Sequence, residues 1–122
     1  MPIIQINMAP NETNQMELAR ILQDAVVSFS DIKGILPGEV MVDVHTNGCN
    51  LNGFIYVKIM IYHRKERTDE ILKRFQDFLG NIIAEYFDET WNNFKWLEML
   101  PLEVLDDKYC KIYLSSRKCK GR

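Results

Sequence analysis

The sequence predicts an α/β (α+β) fold: a tandem β-α-β duplication giving a four-stranded mixed sheet with two helices on one face. Three observations carry that expectation. Several short runs alternate apolar and polar residues, two longer stretches repeat apolar residues at helical spacing, and the order strand, helix, strand occurs twice. A length of 122 residues with 47% apolar content suits one domain, residues 1–122, with halves at about 2–46 and 54–107 and a tail at 108–122.

The first strand is IIQINM, where β-branched Ile3, Ile4 and Ile6 favour extended backbone. APNETN then breaks the pattern with Pro10 and turn-forming residues. Asn14 followed by Glu17 has the form of a capping pair, and Leu18, Leu22, Ala25, Val26 and Phe29 recur along one helical face. DIKGILPG, residues 31–38, carries the glycine and proline that end this helix. Val40, Val42 and Val44 alternate with Met41, Asp43 and His45 as a second strand, and TNGCNLNG is a turn.

FIYVKIMIY, Phe54 to Tyr62, predicts a strand apolar on both faces, followed by the connector HRKERT. Thr68, with Asp69 and Glu70 behind it, is a good helix start because its side-chain oxygen and the two carboxylates meet free N–H groups. Apolar residues from Ile71 to Phe87 keep the helical period, and Gly80 among them, at about 1 kcal/mol relative to alanine, suggests close packing. Leu97 to Leu105 is a weaker strand interrupted by Pro101, which predicts an edge or a bulge. Tyr109 to Leu114 is a further strand candidate that would reach a neighbouring subunit, and Arg117, Lys118, Lys120 and Arg122 are expected as a solvated basic tail.

Laying Asn14 on Thr68 is an offset of 54, and the same offset lays Leu18 on Leu72 and Ile6 on Met60. Parallel strands joined through a helix take the right-handed crossover, so both helices cover the same sheet face. The other face has apolar side chains and no element left to cover it, which predicts an oligomer with sheet packed on sheet. The 15 basic and 17 acidic residues nearly cancel, so charge indicates no nucleic-acid partner. No apolar run reaches the roughly 18 residues of a membrane span, and the expected location is cytoplasmic. Cys49, Cys110 and Cys119 are widely spaced, with His45 and His63 as the only histidines, which implies reduced thiols and no metal site.

A duplicated β-α-β of this size with proline directly after methionine resembles the tautomerase superfamily, and within it the 5-carboxymethyl-2-hydroxymuconate isomerase branch. The matching residues are PIIQI at the start, GILP (Gly34 to Pro37), a strand ending in Val44 and His45, YVKIMI (Tyr56 to Ile61), and ERT (Glu66 to Thr68) where the family carries Gly-Arg-Ser. The similarity runs from residue 2 to about residue 107. It implies a homotrimer whose sheets form an inner barrel, active sites near subunit boundaries, a small-molecule carboxylate substrate and no cofactor. Two departures stand out. Where the branch places an arginine near the start of the second strand, this sequence reads GEVMVDVH, with Met41 or Val42 in its place, and DDKYCKIYLSSRKCKGR has no counterpart.

The implied chemistry is enol–keto proton transfer on an unsaturated 2-oxo or 2-hydroxy carboxylate, which needs a base poised near neutrality and a group holding the anionic end. Pro2 supplies the base if Met1 is removed, because an α-amino group titrates at about 7.7 to 8.0 and burial or a nearby cation lowers it. With Met1 attached, Pro2 nitrogen is an amide without basicity, and the residue is simply a proline preceding a strand. Arg67 matches the family's carboxylate-binding arginine, and a planar guanidinium suits that task; the alternative is a solvated arginine beside Arg64 and Lys65. His45 matches a family histidine and is the remaining substrate-binding candidate. A trimeric binding or interaction protein without activity is the alternative to an enzyme, and the absent arginine favours it.

Overall fold

The structure is a computed structural model that describes residues 2–8, 14–46, 53–105, 111–112 and 116–119. The expected APNETN and TNGCNLNG turns lie largely outside the described residues, as do Met1, Cys49 and Cys110. The elements are β1 (Ile3–Met8), α1 (Gln15–Ser28), a short 3-10 turn (Pro37–Glu39), β2 (Met41–Thr46), β3 (Phe54–Tyr62), α2 (Asp69–Thr90), β4 (Trp96–Met99), β5 (Glu103–Leu105), β6 (Lys111–Ile112) and β7 (Ser116–Cys119). The fold is α+β, with two α-helices and one mixed sheet among the described residues, the sheet's main path running β2-β1-β3-β4-β7. No described helix is long and apolar enough to cross a membrane.

Local chemistry accounts for the helix starts. The Asn14 side chain accepts the Glu17 N–H at 3.1 Å, and Thr68 Oγ1 accepts that of Ile71 at 3.3 Å. Helix α2 runs beyond Phe87 to Thr90, where Thr90 Oγ1 donates to the Tyr86 carbonyl at 2.7 Å. Gly80 is buried within it. The segment after α1 turns at Gly34, whose φ of 83° suits a residue without Cβ. The second strand, expected from Val40, begins at Met41, and Val40 is a buried core residue that closes the 3-10 turn at Pro37–Glu39.

Strand pairing sets the geometry. β1 is parallel to β2, with Ile3 opposite Met41, and antiparallel to β3, with Ile3 opposite Met60. β3 is parallel to both β4 and β5. The core lies between the helices and one sheet face: Ile4, Ile6, Val57, Ile59, Ile61 and Leu97 are fully buried against α1 and α2 residues such as Leu18, Leu22, Phe75, Leu79 and Ile83. Phe29 joins the helices, its ring centroid 5.2 Å from those of both Phe75 and Phe78.

The structure corrects the sequence expectations at three places. Helix caps obey the offset of 54, but the strands do not: Ile6 is fully buried whereas Met60 is half-buried on the opposite sheet face, since Ile59 and Ile61 are the buried neighbours. One residue of strand register exchanges the two faces. The stretch 97–105 is two strands along β3. Met99 pairs with Val57 and Glu103 with Met60, so residues 100–102 bulge opposite residues 58–59, as a proline at 101 requires. It is no edge, because β7 continues the sheet beyond β4. Finally, of the segment expected to reach a neighbouring subunit, the described residues Lys111–Ile112 pair as β6 antiparallel to β5, and β7, which contains Arg117 and Lys118 of the expected tail, pairs with β4, while Lys120 and Arg122 lie outside the described residues.

Candidate active site

Pro2 is buried at the start of β1, where its carbonyl accepts the Met41 N–H at 3.0 Å. Because β1 and β3 are antiparallel, this end of β1 lies beside the Tyr62 end of β3. The chain leaves β3 there through residues 63–67, and Arg67 Nη1 donates back to the Tyr62 carbonyl at 2.8 Å. Pro2 and Arg67 therefore belong to the same end of the sheet.

His45 belongs to the other end. It pairs with Asn7, five residues along β1 from Pro2, or about 16 Å of extended strand. Its Nε2 lies 3.2 Å from Asp43 Oδ2, and both side chains are half-exposed on the sheet face away from the helices. The structure does not bring His45 to Pro2.

A cavity of about 410 Å³ opens at the Pro2–Arg67 end, lined by Asp31, Lys33, Glu39, Arg64, Glu66 and Arg67 among others. Pro2 is not among its lining residues. Burial pulls the Arg67 guanidinium below its ordinary value, repulsion from Arg64 adds to this, and Glu66 partly opposes it. Arg67 stays cationic at neutral pH, since an arginine's ordinary value is far above 7. The cavity has carboxylates as well as cations, but two are engaged: Asp31 Oδ2 lies 3.0 Å from Arg74 Nη2, and Glu39 Oε1 accepts the Leu36 N–H at 3.2 Å.

Lys33, Arg64, Asp31 and Glu39 were not singled out as site residues from the sequence. DIKGILPG reads as a helix terminator and HRKERT as a solvated connector, and nothing local signals that they meet. At the start of β2, Met41 is 47% exposed. Comparison with protein-family models, with curated proteins and with solved structures finds no match.

Proposed function

We propose that the protein is a tautomerase or isomerase, resembling the 5-carboxymethyl-2-hydroxymuconate isomerases, that moves a proton on a small unsaturated 2-oxo or 2-hydroxy carboxylate. In this reading Pro2, freed of Met1, is the base that takes the proton from oxygen or carbon and returns it at the other position. Arg67 holds the carboxylate. The observation that carries the reading is the antiparallel β1–β3 pairing, which supports it by bringing the Pro2 end of β1 to the strand end that Arg67 is bonded to. His45, about 16 Å of strand away from Pro2, takes no part within one chain.

The reading takes the two β-α-β units as a duplication and the protein as a cytoplasmic homotrimer that uses no cofactor. A sheet face carrying Met41, Tyr56 and Tyr62 in exposed positions supports the assembly. A second reading, a trimer that binds without catalysis, is favoured by one specific observation: neither Met41 nor Val42, one of which stands where the resemblance expects an arginine, can polarise a carbonyl, and losing such a donor costs a few kcal/mol of transition-state stabilisation.

Intact-mass measurement of the natural protein comes first. Retention of Met1 throughout would end the enzyme reading, because Pro2 would be an amide. With Met1 absent, ketonisation of a 2-hydroxy unsaturated carboxylate should fall about 100-fold or more in Pro2→Ala. In Arg67→Ala the expected effect is about tenfold or more on KM from loss of a charge-assisted carboxylate contact. Equal rates for wild type and Pro2→Ala would remove Pro2 from the mechanism.

A further inference from the structure

β2 ends the sheet path on one side, and no described strand pairs with its outer edge. The Met41 N–H donates to the Pro2 carbonyl at 3.0 Å, so in this parallel ladder Met41, Asp43 and His45 turn their N–H and C=O groups toward β1. Val42, Val44 and Thr46 turn theirs outward. MVDVHT pairs with β1 residue for residue, and it has none of the devices that keep an edge strand single, neither proline nor lysine nor bulge.

Such an edge accepts an added strand. A second copy of β2 fits it antiparallel about a two-fold axis perpendicular to the sheet, because that axis returns each face to itself and lets outward-turned residues bond to one another. In the register centred on Val44, Val44 exchanges both bonds with the partner's Val44, and Val42 does so with the partner's Thr46. Asp43 then stands opposite the partner's His45 at a non-hydrogen-bonded position, where opposed side chains are closest. Within one chain His45 Nε2 lies 3.2 Å from Asp43 Oδ2, so the four side chains alternate carboxylate and imidazole around the axis. Neighbouring registers are worse. One sets Asp43 opposite the partner's Asp43, and the other sets His45 opposite the partner's His45 and pairs fewer residues.

Helix α1 extends the fit. Gln23 Nε2 donates to the Val40 carbonyl at 3.3 Å, so the Gln23 flank of the helix is the one above the start of β2. Met16, two turns before Gln23, and Val27, one turn after it, share that flank and are 70 and 43% exposed. With adjacent strands about 4.8 Å apart, two helices that each lie over a β1–β2 pair come to about the 8–10 Å spacing of packed helices.

We infer that the β2 edge joins two copies of this chain, antiparallel and centred on Val44, into one continuous sheet in which Asp43 faces the partner's His45 and the Met16–Val27 flanks of α1 adjoin. The contact needs neither Pro2 nor Arg67 and uses the sheet's edge, so it stands apart from the proposed activity and from packing through the open face. One short strand and one helix flank make a small interface, so association depends on concentration.

Sedimentation equilibrium of the full chain tests this from micromolar to millimolar concentration. The unit present at the low end, whether one chain or three, should double at the high end. Val44→Pro removes an N–H that β1 does not use, and it should abolish the doubling while far-ultraviolet circular dichroism is kept. His45→Asp sets like charges opposite each other and should weaken association about tenfold or more, and the exchange Asp43→His with His45→Asp should restore it. In a mixture of labelled and unlabelled chains, the Asp43 Hα should show a nuclear Overhauser contact to the Hα of the partner's His45. A wild type that does not double, or doubling unchanged in Val44→Pro or His45→Asp, overturns the inference, and a contact between the two copies of Asp43 overturns the register. If Val44→Pro does not fold, the charge exchange and the Hα contact decide.

Discussion

At the scale of single residues, Gly53 shows how a loop glycine fixes the start of a strand pair. Its carbonyl accepts the N–H groups of both Lys95 and Trp96, at 2.8 and 3.1 Å, and so docks the beginning of β4 beside β3. A side-chain carbon at this position would overlap the carbonyl of Asn93, which is backbone and cannot swing aside. Gly53→Ala is therefore expected to destabilise the fold by about 1–3 kcal/mol through forced overlap, read as a lower urea midpoint with unchanged slope. The sequence shows this glycine only as part of TNGCNLNG, a stretch where any turn uses glycine. The contact that makes it indispensable comes from 40 residues later in the chain, Asn93, and was not legible. Asn14 and Thr68 are the opposite case. Their caps reach three residues along the chain, and that short range is why the sequence located both helix starts.

Among the elements, α2 organises the sheet beneath it through one buried amide. Gln76 is 2% exposed, and its Nε2 donates at 2.8 Å to the Leu100 carbonyl, which the bulge at residues 100–102 withdraws from the strand ladder. Replacing it by leucine fills the space but strands that carbonyl, and the expected loss is about 1–3 kcal/mol in urea unfolding. Pro101 made the bulge legible, but the glutamine that answers it reads in the sequence as one more polar position of a helix. A second anchor links the two helices: Tyr86 Oη donates to the Asn14 carbonyl at 3.3 Å, at the first turn of α1. Burial, with the Glu17 carboxylate nearby, raises the Tyr86 phenol above its ordinary value. A raised value in the folded state means that the folded protein holds this proton more tightly than the unfolded chain. The resulting stability is complete below the ordinary tyrosine range near about pH 10 and is lost as pH rises through the folded value. Tyr86→Phe should cost about 0.5–1.5 kcal/mol at neutral pH and flatten the alkaline limb of stability against pH. An alkaline limb identical to wild type would assign that loss to other groups.

For the whole molecule, the open sheet face is the feature with the largest consequence. Met41, Tyr56 and Tyr62 are 47, 37 and 43% exposed there, and Lys58 and Glu103, whose charges meet at 2.9 Å, give the same face a polar centre. If copies of the chain pack through this face, Tyr56→Asp buries a carboxylate in the interface and should convert the assembly to monomer in sedimentation velocity, with far-ultraviolet circular dichroism unchanged. A wild type that sediments as a monomer at micromolar concentration would contradict the packing. The sequence by itself determined the secondary structure from residue 3 to residue 90 closely, because hydrophobic period, caps and turn residues act over a few positions. It also determined that one sheet face is apolar enough to be buried and that Arg67 stands just before α2. Only the tertiary structure decided which strand residues face the helices, that the segment containing Arg117 returns to pair with β4, that His45 stands apart from Pro2, and that Lys33, Arg64 and Arg67 share one cavity. Each of these depends on register or on contacts between distant segments, where a shift of a single residue exchanges the faces of a strand and local patterns give no preference.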